Sequence, residues 1–163
     1  MASDSPSPHA SNRDLIEGFY DAFARLDAEA MAACYSPRVH FSDPVFTDLR
    51  GERAGQMWKM LTSRSSDLDV KASEIESDGE TGSAHWTANY TFGQTGRKVR
   101  NDVRASFRFA DGLIVEHVDD FDFRAWAKQA LGPAAGFAPL TPVFRTLVRR
   151  RAAGQLDAFA AGD

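Results

Sequence analysis

Hydrophobic positions in the first part of the chain recur at helical spacing. The pattern predicts three helices: one beginning near Asn12, a short one capped by Asp27, and one over about residues 52–64. Residues 38–46, between the second and third helices, predict a strand that Pro44 interrupts. The apolar stripe of the first helix is formed by Leu15, Phe19, Phe23 and Leu26.

From residue 68 onward the hydrophobic period changes to two, which is typical of strands. Turn-forming residues separate four predicted strands near residues 68–77, 83–93, 97–109 and 113–122. A short helix over 123–131, a Pro/Gly/Ala linker over 133–141 and a helical tail from Pro142 follow. Helices, one strand and then a meander of four strands predict an α+β fold.

The length of 163 residues fits one domain with a sizeable core. The segment 1–11 is rich in Ser, Pro and Ala and is predicted to be disordered. We therefore expect a disordered tail over 1–11, a pocket domain over 12–132, and a linker with a C-terminal helix over 133–163.

Composition excludes several classes of function. The formal charge of −4 argues against sequence-independent binding of nucleic acid, which needs a basic surface. Cys34 is the only cysteine and the four histidines are scattered, so neither an intrachain disulfide nor a metal site is predicted. Because the chain has no phosphate-cradling glycine loop, no cofactor is predicted. The absence of a long apolar run or a signal peptide predicts a cytoplasmic protein without a membrane span.

Asp43 is the first candidate for chemistry. It lies in the predicted strand two residues after Phe41, and side chains two apart share one face of a strand. If Phe41 enters the core, the Asp43 carboxylate does too, which is costly unless it is paired, protonated or used. The alternative is an Asp that forms a turn before Pro44 and accepts nearby backbone amides.

The last predicted hairpin brings two more polar side chains to the inner face. A two-residue Asp-Gly turn would place Phe107 opposite Glu116, which is a poor match. A three-residue loop instead pairs Phe107 with Val115, and we expect this register. It places His117 opposite Ala105 and Asp119 opposite Val103, with both polar side chains pointing inward.

Two segments, FYDAFARLDAEAMAACYSPRVHFSDPVF and GRKVRNDVRASFRFADGLIVEH, resemble the nuclear-transport-factor-2-like superfamily. This superfamily includes ketosteroid isomerases, limonene-epoxide hydrolases and the SnoaL-like polyketide cyclases. The resemblance covers about residues 12–131 and follows the order of elements. It implies a cystatin-like α+β roll: a curved, mostly antiparallel sheet wrapped as a cone around the N-terminal helices, here with an extra C-terminal helix.

The same resemblance implies a role for Asp43. Asp-Pro-Val at 43–45 matches the ketosteroid isomerase segment that holds the general base. The two oxyanion donors of that enzyme, a Tyr and a protonated Asp, fall on Phe19 and Ala105, whose side chains cannot donate. True ketosteroid isomerase activity is therefore not expected.

Two functions remain open. The first is an enzyme that binds a small apolar molecule and performs cofactor-free isomerisation, cyclisation or epoxide opening, with Asp43 as base and His117 with Asp119 as acid or orienting pair. The second is a non-catalytic binding or dimerisation module, with His117 and Asp119 as satisfied core residues. The predicted pocket is lined by Phe19, Phe23, Phe41, Met57, Trp58, Leu61, Trp86, Tyr90, Phe92, Asn101, Val103, Ala105 and Phe121.

The outer face of the last hairpin carries both signs of charge, with Arg100 and Arg104 beside Asp120 and Asp122. Such a face suits a self-complementary homodimer interface, and its alternative is a solvated sheet surface. The helical tail could cover the pocket, pack on the sheet or reach a partner subunit, and the sequence alone does not choose among these.

Overall fold

The computed structural model describes residues 8–136 and 141–162, and the predicted α+β class is confirmed. Residues 1–7 of the predicted disordered tail, and 137–140 of the predicted linker, lie outside the described residues. The helices are α1 (Pro8–Ala24), α2 (Ala28–Ala33), α3 (Glu52–Ser63), α4 (Phe123–Leu131) and α5 (Pro142–Ala160), with a 3₁₀ turn at Pro133–Gly136. The strands are β1 (Tyr35–Ser42), β2 (Leu49–Arg50), β3 (Asp69–Ser77), β4 (Thr81–Phe92), β5 (Arg97–Ala110) and β6 (Leu113–Asp120).

The six strands form one open sheet in the order β2-β1-β6-β5-β4-β3. Strand β1 pairs with β6 in parallel, and the other neighbours pair antiparallel. The long strands β4 and β5 alternate buried and exposed positions along most of their length, as expected for a sheet with one face on the core. Among the described residues, no helix is long and apolar enough to cross a membrane.

Helix α1 lies along the inner face of the sheet and supplies much of the core. Ile16, Phe19 and Phe23 are buried in one continuous apolar cluster with β1, α3 and β4. The helix is also fixed by polar contacts, since Asn12 Nδ2 donates to the Asp78 carbonyl at 3.0 Å and Arg13 to the Ile75 carbonyl at 2.8 Å. It begins at Pro8, earlier than the predicted boundary near residue 12.

Gly82 of β4 packs tightly against Ile16 of α1 and Phe109 of β5. A Cβ atom at this position would lie 2.8 Å from Ile16 Cδ1 and 2.9 Å from Phe109 Cε2. We expect Gly82→Ala to lower the free energy of unfolding by about 1–3 kcal/mol, because the packed core must shift to admit it.

Gly18 is the matched control, because it lies within α1 and a Cβ there would meet nothing within 4 Å. Gly18→Ala should raise stability by about 0.5–1 kcal/mol through helix propensity. Urea denaturation of both variants checks the pair, and equal effects would contradict the close contact at Gly82.

The predicted register of the last hairpin is wrong by two residues. Asp111 and Gly112 both have positive φ, 54° and 76°, and form a two-residue turn with Ala110 opposite Leu113. The poor match with Glu116 is avoided because the register shifts after Phe109–Ile114, and Val115 is the extra residue of a bulge. Phe107 therefore pairs with His117, and Ala105 with Asp119.

The tail helix α5 packs against its own domain. Leu156 is fully buried in the main core, and Asp157 pairs with Arg53 of α3 at 2.8 Å. Nearer its start, Phe144 and Val148 pack against a second apolar cluster built around α4. Helix α5 therefore bridges α3 and α4.

Candidate functional site

A chain of five hydrogen-bonded side chains crosses the core. Trp58 Nε1 donates to Tyr35 Oη at 2.8 Å, and Tyr35 Oη lies 2.8 Å from His117 Nδ1. His117 Nε2 lies 2.9 Å from Asp119 Oδ1, which also accepts Trp86 Nε1 at 3.2 Å. His117 is completely buried and Asp119 is 3% exposed. The pairing of His117 with Asp119 that the sequence left open is therefore present.

The chemistry of the donors sets the direction of this network. An indole N–H can only donate, so Tyr35 Oη accepts from Trp58 and is left with its own proton to donate to His117 Nδ1. A neutral imidazole then carries its proton on Nε2 and donates it to Asp119. In this arrangement every ring nitrogen of the five-residue network has a hydrogen-bond partner, and the Asp119 carboxylate accepts from two donors.

Aromatic rings enclose the imidazole of His117. The ring centroids of Phe107, Phe41 and Phe19 lie 4.4, 5.1 and 5.5 Å from that of His117. Such surroundings exclude water, so a broken hydrogen bond here would leave a polar atom without a replacement partner. The network is therefore fixed in one arrangement by its apolar packing.

Asp43 lies just beyond the end of β1 rather than within a strand. Its Oδ1 accepts the backbone amides of Val45 at 2.7 Å and Phe46 at 2.6 Å, which is the turn-forming arrangement considered as the alternative. The side chain is nevertheless half-buried. Burial raises the pKa of Asp43 from 3.8 to about 7, against the lowering effect of the two amides.

Two charged groups also act on the pKa of Asp43. The Asp119 carboxylate raises it, and the Arg149 guanidinium of α5 lowers it. Asp43 makes no hydrogen bond to His117 or Asp119 in the described part of the chain. His117 and Asp119 are thus hydrogen-bonded to each other. Of these two residues, only Asp119 affects Asp43, and it does so through its charge.

The region around Asp43 forms the junction of the two apolar clusters. Val45, Tyr90 and Phe121 are half-buried and pack against both clusters. Tyr90 Oη accepts Trp126 Nε1 of α4 at 3.0 Å, and burial raises the Tyr90 pKa, with a further rise from the Asp43 charge. Arg149 Nε donates to the Pro44 carbonyl at 3.1 Å.

Most predicted pocket residues face the interior, although they fill it rather than line a described cavity. Half-buried positions are held by Tyr90, Phe92, Asn101 and Phe121. Leu61 is 40% exposed, although it lies at helical spacing from the buried Met57 and Trp58 of α3. The buried members are Phe19, Phe23, Phe41, Met57, Trp58, Trp86, Val103 and Ala105.

Two surface depressions lie beside α4 and β5, and Tyr90 lines the second of them. Their volumes are about 720 and 470 Å³, and their linings share Lys98 and Gln129. Neither is lined by Asp43, His117 or Asp119. Within 8–136 and 141–162, no three His, Cys, Asp or Glu residues are grouped to hold a metal ion.

Sequence reasoning missed Tyr35 and Arg149. Tyr35 follows Met31 and Cys34 at helical spacing, which predicts that it belongs to the second helix, whereas that helix ends at Ala33. Tyr35 reaches the site because β1 pairs with β6, which is far away in sequence, so no local pattern indicates this contact. Arg149 belongs to the run 149–151, which a local pattern assigns to a solvated helix face.

Comparison with known proteins agrees with this fold. The sequence model of the SnoaL-like domain matches residues 16–117. An LEH-like epoxide hydrolase from M. tuberculosis has a similar structure, with a TM-score of 0.64 and 23% identity over 80% of this chain and 98% of that one. No match was found among curated proteins.

Two further solved structures share the fold. A proposed polyketide cyclase from Xanthomonas campestris pv. campestris has a TM-score of 0.64 and 19% identity over 76% of this chain and 98% of that one. TerC, crystallised with polyporic acid, has a TM-score of 0.62 and 20% identity over 73% of this chain and 97% of that one. Since the family model spans most of the chain, this protein belongs to the SnoaL-like family of the nuclear-transport-factor-2-like superfamily.

Proposed function

We propose that this protein binds a small, largely apolar organic molecule and catalyses cofactor-free proton transfer on it, with Asp43 as general base. The carrying observation is the half-buried Asp43 carboxylate, whose pKa of about 7 suits proton transfer near neutral pH. Its Oδ1 is held by two backbone amides, while Oδ2 has no hydrogen-bond partner among the described residues. The held oxygen fixes the orientation and the other is left to accept a proton.

In this proposal His117 and Asp119 are positioning residues. The hydrogen bonds of both residues are made within the core. His117 therefore fixes the position of the Asp119 carboxylate, and neither residue exchanges a proton with the ligand. The fixed charge of Asp119 raises the proton affinity of Asp43. The reaction class is isomerisation, cyclisation or epoxide opening, which the fold shared with an LEH-like epoxide hydrolase supports.

Asp43→Asn tests the base directly. We expect this variant to lose about 10²–10⁴-fold in the rate of proton abstraction, because Asn keeps an oxygen for the two amides but cannot take a proton. A measurement that needs no known substrate is deuterium exchange: a panel of apolar ketones is incubated with the protein in D₂O, and incorporation at the carbon next to the carbonyl is followed by mass spectrometry.

Asp120→Asn is the matched control, since Asp120 is an exposed carboxylate at the end of β6 that should not affect exchange. Undiminished exchange of an accepted ketone in Asp43→Asn would remove Asp43 from the mechanism.

A second candidate is a binding module without catalysis. It is favoured by the closed network of His117 and Asp119, which satisfies itself without a ligand. For the predicted homodimer, the outer sheet face already pairs several of its polar side chains within one chain: Arg104 with Glu74 at 2.8 Å, and His85 with Asp102 at 2.7 Å. The homodimer, the cytoplasmic location and the absence of a nucleic-acid partner stay predictions.

A further inference from the structure

Arg149 is placed differently from the other arginines of its run. Arg150 and Arg151 are exposed, as a solvated helix face requires, whereas Arg149 is half-buried. Its Nε donates to the Pro44 carbonyl, 105 positions away in sequence, at 3.1 Å. Helix α5 therefore places one cation directly on the loop that carries Asp43, and it does so from outside the segment 16–117 that the family shares.

The charged and titratable groups that interact with the Asp43 carboxyl come from three elements. Strand β6 contributes Asp119, strand β4 contributes Tyr90, and α5 contributes Arg149. Of these, Arg149 alone is positively charged. An anionic ligand placed beside Asp43 would be repelled by two carboxylates unless this guanidinium offset them.

The described contacts of Arg149 leave most of its N–H donors without a partner. Its single described hydrogen bond uses Nε, and no ion pair joins it to Asp43 or to another described carboxylate. The two terminal Nη groups, which carry four N–H donors, are therefore unpaired in the part of the chain that the structure describes. A planar pair of such donors matches the two oxygens of a carboxylate.

We propose that Arg149 binds a carboxylate of the ligand, so that the site takes apolar organic acids. The proposal rests on the proposed function, because it places the ligand beside Asp43. Arg149 is a specificity-determining residue here: it anchors the acid group while Asp43 faces the adjacent carbon framework. The two side chains that the family resemblance assigns as donors, Phe19 and Ala105, cannot supply this contact.

A merely structural role for Arg149 makes a different prediction. If the residue only docks α5 on the Pro44 loop, then breaking another tie of the same helix should have the same consequences. Arg53 offers that control, because it pairs with Asp157 of α5 at 2.8 Å and, within the described part of the chain, forms no hydrogen bond or ion pair with a candidate site residue. Arg149→Gln and Arg53→Gln therefore remove one polar tie of α5 each, and only the first removes a charge beside Asp43.

The experiment uses two probes of one shape, 2-naphthoate and 2-naphthamide, titrated calorimetrically into the intact wild-type protein and both variants. We expect the wild type to bind naphthoate about tenfold or more tightly than naphthamide, as a charge-assisted hydrogen bond implies. Arg149→Gln should lose that preference with its naphthamide affinity unchanged, and Arg53→Gln should keep it. Circular dichroism confirms that the variants are folded.

Three outcomes would overturn the inference. Equal binding of the two probes by the wild type removes the acid preference and leaves the proposed base untouched. Parallel behaviour of Arg149→Gln and Arg53→Gln assigns Arg149 to helix docking. Binding of neither probe removes the ligand site itself, and the deuterium-exchange measurement then decides separately whether Asp43 is a base.

A second readout needs no ligand. In ¹³C NMR titrations of the Asp43 carboxyl, Arg149→Gln should move the midpoint to higher pH, because the guanidinium now lowers the pKa of Asp43. Arg53→Gln should leave the midpoint in place. An unchanged midpoint in Arg149→Gln would mean that the guanidinium does not face Asp43.

Discussion

Replacing Tyr35 by Phe should lower the free energy of unfolding by about 2–6 kcal/mol. The hydroxyl accepts from Trp58 Nε1 and donates to His117 Nδ1, both at 2.8 Å, so its removal leaves two buried polar atoms without partners. Each such atom costs about 1–3 kcal/mol. Water cannot replace the hydroxyl readily, because Tyr35 and its neighbours are buried among aromatic rings.

Tyr20 provides the matched comparison. It is also a buried tyrosine, 5% exposed, but its hydroxyl has no hydrogen-bond partner among the described residues. Tyr20→Phe removes the same atom without breaking a hydrogen bond, and it should leave stability unchanged or raise it by about 1 kcal/mol. Burial and the charge of Asp119 raise the pKa of Tyr20, so its hydroxyl stays protonated.

Urea denaturation of both variants measures the difference. Comparable losses in Tyr35→Phe and Tyr20→Phe would show that Tyr20 has a partner, such as a buried water, and that the two hydroxyls are equivalent. A stability of Tyr35→Phe equal to that of the wild type would contradict the continuous network from Trp58 to Trp86.

The order of helices and strands could be predicted because each element has its own local hydrophobic periodicity. The change from helical spacing to alternation after residue 68 separates the helices from the meander, and α4 was predicted with the bounds that it has, Phe123–Leu131. The inward direction of His117 and Asp119 followed from the same alternation. Features of the fold that depend on a single inserted residue, or on the exact end of a strand, are harder to predict from the sequence.

The bulge at Val115 is such a feature. Regular pairing from a two-residue turn would place Phe107 opposite Glu116, and one extra residue in β6 removes that conflict. The bulge places the buried His117 opposite Phe107 within the packed core and leaves one residue of β6 unpaired. The prediction that Asp43 lies within a strand is wrong for a similar reason. Side chains alternate from Phe41 only while the strand continues, and β1 ends at Ser42.

The contacts that complete the site span long separations. Tyr35 meets His117 across 82 positions, and Arg149 meets Pro44 across 105. Such contacts are decided by the order of strands and by where the last helix lies, which local patterns do not contain. The sequence could therefore nominate Asp43, His117 and Asp119, and not the tyrosine and arginine that set their surroundings.

Asp43→Asn should stabilise the protein above neutral pH, in contrast to its expected effect on turnover. The pKa of Asp43 rises from 3.8 to about 7 on folding, so the folded state holds an extra proton between these values. Stability therefore falls as pH rises through this range and stays low above it. At 1.36 kcal/mol for each pH unit, the ionised carboxylate costs up to roughly 4 kcal/mol.

Asn avoids this cost because it is neutral at every pH and still offers an oxygen to the amides of Val45 and Phe46. Urea denaturation at about pH 4.5, 6 and 8 should show a gain for Asp43→Asn that grows with pH, and no such trend for Asp120→Asn. A pH-independent difference would mean that Asp43 titrates alike in the folded and unfolded states. A stabilised variant without turnover would instead show that the carboxylate is kept for chemistry at the expense of stability, as is common at catalytic positions.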